Sequence, residues 1–214
     1  MQRKNIFIRS TSLEKGFSLL EMLVALTIFV VLSTSFLINY NKFNKRISID
    51  TLAHQIAQWV RDAQVSAMSV KRSDFSSTVF PGYGLHFSTS TPNKFIFFAD
   101  RINANEQYDA GTGACGSATT ECEREVLLLQ GNTLDAFCGD APSGAAVSAK
   151  CGALDTSETF DIVFTRPNPD AVITGDLGGA SFPTPYSRAQ IQLLSPAGHT
   201  RIVEVWTTGQ VSIQ

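Results

Sequence analysis

Residues 17 to 38, FSLLEMLVALTIFVVLSTSFLI, form an apolar run of 22 residues with a single charge, Glu21. As a helix rising about 1.5 Å per residue the run is roughly 33 Å long, which matches a hydrocarbon core of about 30 Å. Such a run crosses a membrane once and stays as an anchor, or it is cut away as a secretory signal. The small residues Ser33 and Ser35 would then release a chain beginning at Phe36. Neither reading needs Glu21. An acid at mid-span costs about 2.5 to 3.5 kcal/mol and usually faces a partner rather than lipid, so its position near the start of the run calls for a reason.

Beyond the run the helical period continues. Ile49, Leu52, Ala53, Ile56, Trp59, Val60, Ala63, Ala67 and Val70 recur at three- and four-residue intervals, while His54, Gln58, Arg61 and Asp62 fill other faces. A helix from 17 to about 71 is weakest at Asn39, Asn41 and Asn44, with Asp50 as a fresh N-cap, and its stripe needs a domain to cover it. That domain follows. All 8 prolines and 14 of the 15 glycines lie after residue 80, where short β-rich runs alternate with turn signals. YGLHF, KFIFFA, REVLLL, TFDIVFT, RAQIQLL, RIVEVWT and QVSI give six or seven strands, the last two joined in a hairpin at Thr208 and Gly209. The fold class is α+β: a long N-terminal helix, membrane-spanning in its first half, packed against a C-terminal antiparallel β domain.

Charge and cysteines bear on location. Arg3, Lys4, Arg9 and Lys15 precede the run, nearly balanced by Lys42, Lys45 and Arg46 beyond it. With the α-amino group added, the bias favours a cytoplasmic N-terminus. Without residues 1 to 16 the chain holds 13 basic and 18 acidic residues, so no general basicity points to nucleic acid. Cys115, Cys122, Cys138 and Cys151 lack the C-x2-C pairs of a zinc site and have no histidine among them. Disulfides fit better than free buried thiols and imply an oxidising compartment. Of three pairings, Cys115 with Cys122 and Cys138 with Cys151 closes the shortest loops at least entropic cost.

Little in the sequence suggests catalysis. His54, His86 and His199 are scattered over a helix and two strand regions, with no nucleophile elbow, HExxH helix or phosphate loop. The Trp59 and phenylalanine content reads as core. No cofactor is called for, apart from one cluster: Asp100, Asn103, Asn105 and Asp109 place oxygen side chains in a short loop of a kind that suits Ca2+. The spacing is not that of an EF-hand, and Asx-rich loops commonly form turns.

KGFSLLEMLVAL, with Lys15, Gly16, Phe17 and Glu21, resembles the processing site of type IV prepilins. That resemblance implies cleavage by prepilin peptidase between Gly16 and Phe17 and N-methylation of Phe17. It also implies that Glu21 acts in assembly, its carboxylate neutralising the Phe17 amine of a neighbouring subunit inside an apolar bundle. The β half is similar to the GspH/FimT-type minor pseudopilins at YGLHF, FIFFADRINANEQYD, FDIVFTRPNPDAVI and RIVEVWTTGQVSI. The implied layout is a leader (1–16), a membrane span (17–38), an amphipathic continuation (39–72) and a globular domain (80–214) with a cysteine-bearing insert at about 111–157.

The implied function is that of a minor subunit of a type IV pilus or a type II secretion pseudopilus. Its partners would be other pilin or pseudopilin subunits, the peptidase and the inner-membrane assembly platform. The implied location is a single-pass inner-membrane protein whose C-terminal domain lies outside the cytoplasm, and the filament after assembly. The alternative is a surface-binding subunit for DNA uptake or adhesion. Some members of this branch bind DNA through a Gly-Arg-x-Arg element, but the matching positions are Gly209, Gln210, Val211 and Ser212, so both arginines are absent. Arg188 and Arg201 remain, read as solvated strand positions. Related pseudopilins include calcium binders, which is the family's bearing on the Asp100 cluster.

Overall fold

The computed structural model describes residues 16–69, 80–140, 150–151, 158–176 and 186–214, without the side chains of 38, 39, 41, 42, 150, 151 and 176. Val70, Lys71 and the remainder of the stretch up to residue 79 lie outside it. A single helix, α1 (Leu19–Met68), runs through both of the compact units into which the chain divides, Met1–Asn41 and Lys42–Gln214. It continues through the weak point at Asn39, Asn41 and Asn44. Asp50 is not an N-cap: in mid-helix its carboxylate pairs with Arg201.

In the first unit α1 shows its apolar side chains on every side. Leu19–Leu37 is long and apolar enough to cross a membrane and none of it is buried within the molecule. In the second unit the helix has one buried face, made of Ile49, Leu52, Ala53, Ile56, Val60, Ala63 and Ala67. The alanines at 53, 63 and 67 let backbone and sheet approach closely.

Among the described residues ten strands follow: β1 (Gly82–Ser88), β2 (Lys94–Asp100), β3 (Cys122–Leu127), β4 (Thr133–Asp140), β5 (Lys150–Cys151), β6 (Thr159–Phe164), β7 (Ala171–Asp176), β8 (Arg188–Leu194), β9 (Thr200–Trp206) and β10 (Val211–Ile213). They form two antiparallel sheets, ordered β3-β2-β1-β6-β7 and β10-β9-β8-β4-β5. The helix packs on these sheets around one core. Tyr83, Leu85, Phe87, Phe95, Phe160 and Ile162 come from the first sheet, and Leu134, Phe137, Ile191, Leu193, Val203 and Val205 from the second. Aromatic pairs tie the layers: Trp59 of α1 meets Phe95 and Phe97, and Phe137 of the second sheet stacks on Phe160 of the first.

The described part of the stretch from 111 to 157 contributes strands to both sheets. It supplies an edge strand, β3, to one sheet and an interior strand, β4, to the other. β4 breaks strict alternation because a register shift lies between Leu134 and Ala136. Strand pairing therefore carries what period-2 patterning does not show.

Candidate processing and assembly site

Gly16, Phe17 and Ser18 precede α1 in non-helical conformation. The helix starts at Leu19 because Ser18 caps it: the Ser18 carbonyl accepts the Met22 N–H at 3.2 Å, and Ser18 Oγ accepts the Glu21 N–H at 3.4 Å. Ser18 at the N-cap with Glu21 three residues on is the S-x-x-E order of a capping box. That signal was present in the sequence and its structural role was missed. Glu21 is also the acidic residue of the first helical turn, where a negative charge complements the helix dipole. Phe17 is 79% exposed. A methyl group placed on Gly16 would meet no atom within 4 Å. Among the described residues neither crowding nor a left-handed backbone demands glycine there.

The second cluster lies on the β domain. The segment between β2 and β3 covers the outer face of the first sheet and is fastened there by three buried carboxylates. Glu121, fully buried, accepts N–H bonds from Arg101 (3.0 Å), Ile102 (2.9 Å) and Asp109 (2.8 Å). Asp100 accepts the Glu106 N–H at 2.8 Å. Asp161 binds His86 Nδ1 at 2.6 Å and accepts the Tyr108 N–H at 3.4 Å, with the Tyr108 ring against His86.

Of the residues considered for Ca2+, Asn103 and Asn105 direct their NH2 groups to the same oxygen, Asp109 Oδ2, at 2.8 and 3.3 Å. Asn105 Oδ1 accepts the Gln107 N–H at 3.1 Å, while Asp100 is buried beneath the loop. The four are placed as turn-forming groups. Among the described residues no group of three or more His, Cys, Asp or Glu is gathered for a metal.

Burial raises the pKa of both Asp100 and Glu121 above the ordinary carboxylate range, against the lowering effect of the amides they accept. The folded protein therefore holds more protons than the unfolded chain from about pH 4 up to those raised values, and stability from these two groups falls as pH rises through that window. Replacing Asp100 by Asn keeps an acceptor for the Glu106 N–H and removes the charge. The expected result, read from urea denaturation midpoints between pH 4 and 7, is a flatter pH dependence with the gain over wild type largest near neutrality.

Cys115 and Cys122 are disulfide-bonded, with Cα atoms 4.8 Å apart, closing the end of the same loop. Cys138 is also disulfide-bonded, and strand register sets its backbone opposite Cys151. Arg188 and Arg201 are not merely solvated, which corrects the expectation. Arg188 pairs with Asp140 at 2.6 Å and Glu204 at 3.1 Å and lies over Trp206, while Arg201 pairs with Asp50. The strand register brings these partners together: Arg188 is opposite Asp140 on β4, and Gln190, whose Nε2 also donates to Glu204, is opposite Glu204 on β9. His54 and His199 are exposed, and His86 is satisfied by Asp161.

The family model for the prokaryotic N-terminal methylation motif matches residues 11–37. No curated protein and no solved structure matches the chain.

Proposed function

We propose that this type IV prepilin-like chain, which carries the prokaryotic N-terminal methylation motif over residues 11–37, is a minor subunit of the GspH/FimT type. It serves a type IV pilus or a type II secretion pseudopilus. The motif implies processing by prepilin peptidase and assembly with other pilin subunits, and the apolar segment Leu19–Leu37 fits a single-pass anchor. Cleavage falls between Gly16 and Phe17, the new amine is methylated, and Glu21 pairs with that amine on a neighbouring subunit. The role is structural: the apolar helix joins the filament core, held at first by the inner-membrane assembly platform, and the β domain faces outward.

The motif over residues 11–37, which overlaps the apolar run, carries this reading. The α+β architecture supports it, and Gly16, which the described residues do not require, is explained by recognition from outside. A DNA-uptake role would need cationic groups turned to phosphate, whereas Arg188 and Arg201 are engaged within the domain.

Intact mass and N-terminal sequencing of the protein purified from its native membrane test the proposal. The expected start is N-methylated Phe17. A start at Phe36 would make the run a secretory signal, and an unprocessed Met1 a plain anchor; either result overturns the reading.

A further inference from the structure

The first sheet ends at β3, and beside that edge a flank of α1 is left uncovered. Residues 44, 48, 51, 55, 59, 62 and 66 of the helix fall three or four apart and so share that flank. Two concavities lie in a row along it. In one, of about 410 Å³, Asn44, Ser48, Thr51 and Gln55 stand across from Leu129 and Asn132. In the other, of about 360 Å³, Trp59, Asp62 and Ser66 stand across from Arg124.

The edge itself is open. The Leu128 N–H is donated to the Asn93 carbonyl just before β2, at 2.8 Å, and Lys94 is opposite Leu127. Antiparallel alternation then turns the N–H and C=O of Val126 and Arg124 toward β2, and those of Glu125 and Leu127 away from it. Among the described residues nothing bonds to those outward groups. The Arg124 and Val126 side chains face α1, Arg124 over the Trp59 ring and Val126 against the core. Leu127 and Leu129 are 60% and 67% exposed, so this end of the edge lacks the charges that usually keep an open strand from pairing.

Charge decides what the groove accepts. No charged side chain lines the first concavity. At the second, Glu123 is paired with Arg101 at 3.1 Å, which leaves Asp62 and Arg124 as one charge of each sign. The groove is neutral along its length. We infer that an extended, uncharged segment of a partner protein docks here as an added strand of the first sheet, antiparallel to β3. Its backbone bonds to the outward groups of Glu125 and Leu127, and every second side chain turns into the groove. Aliphatic side chains fit there, on Ile47, Leu52 and Leu129 in the first concavity and on Trp59 in the second. A charged one in the first concavity would lose its water without gaining a counter-charge.

This contact needs neither cleavage at Gly16 nor filament assembly, so it stands or falls apart from the function proposed above. The test titrates the full chain in detergent micelles with the blocked peptide acetyl-SLTVTLS-amide, whose leucines and valine share one face, and follows amide hydrogen exchange by NMR. With peptide at about ten times its Kd, exchange of the Glu125 and Leu127 amides should slow roughly tenfold. The peptide acetyl-SKTVTKS-amide should bind about tenfold more weakly or worse. Leu127→Pro removes an outward N–H that β2 does not use and should abolish protection of Glu125. Thr51→Lys, on the exposed helix flank, places a charge in the first concavity without touching the strand and should raise Kd about tenfold. No slowing at millimolar peptide overturns the inference, as does equal binding of the lysine peptide or an unchanged Kd in Thr51→Lys. Glu125 and Leu127 amides already protected in the peptide-free chain at every dilution would mean that the chain covers its own edge. Protection that grows with chain concentration would assign the edge to a second copy, and either result overturns the partner strand.

Discussion

Changing Glu21 to Ala should leave the chain in the membrane and keep it out of filaments. Removing an acid from an apolar segment makes insertion easier, so the membrane-bound amount should hold or rise. Docking is another matter. Under the proposed assembly the Phe17 amine of the neighbouring subunit would then lie in an apolar bundle with no counter-charge, and leaving one partner of a buried pair alone costs about 3 to 5 kcal/mol. That is a drop of roughly 150- to 4,000-fold in the docking equilibrium. The measurement compares the subunit in sheared filaments with that in the membrane fraction. Glu21→Gln, which keeps the shape and loses the charge, should fail similarly. Normal incorporation of either variant would remove charge pairing from the account.

The β domain has its own point of greatest sensitivity, and it is outside the aromatic core. Glu121→Ala removes the acceptor of three backbone N–H groups, those of Arg101, Ile102 and Asp109. Each amide left without a partner costs about 1 to 3 kcal/mol, so for three a combined loss of about 3 to 9 kcal/mol is expected. Urea denaturation should show the loss, and hydrogen exchange should place it in the segment between β2 and β3. A loss below about 1 kcal/mol would mean that the Cys115–Cys122 disulfide and the Asp161 contacts hold the loop without it.

How far the sequence disclosed this molecule depended on how local each signal was. The apolar run and the stripe from Ile49 to Ala67 are local, and each led to the right element. So did strands with regular alternation, such as RAQIQLL, where Ala189, Ile191 and Leu193 are buried. β7 and β4 were missed as strands, the first because AVITGD ends in Gly and Asp, the second because its register shift breaks the period. The carboxylates under the loop were out of reach for a different reason. Asp161 lies 75 positions from His86, and only the antiparallel register of β1 with β6 makes them neighbours. Arg201 and Asp50 are 151 positions apart and meet across helix and sheet. Charges that looked solvated one by one were pairs that tertiary structure alone assembles.

The cap at Ser18 bears on what processing would change. Both groups that start α1, the Ser18 side chain and the Glu21 N–H, lie on the C-terminal side of the Gly16–Phe17 bond. A cut there would leave the helix beginning at the same residue, with the same first hydrogen bonds. No helical turn of α1 would have to melt, since Gly16, Phe17 and Ser18 precede it in non-helical conformation. The cleaved and uncleaved chains would then differ in electrostatics and bulk while sharing the same start of α1. Processing would act as a switch of valence on a finished part, and a subunit could wait in the membrane fully formed until the leader is removed.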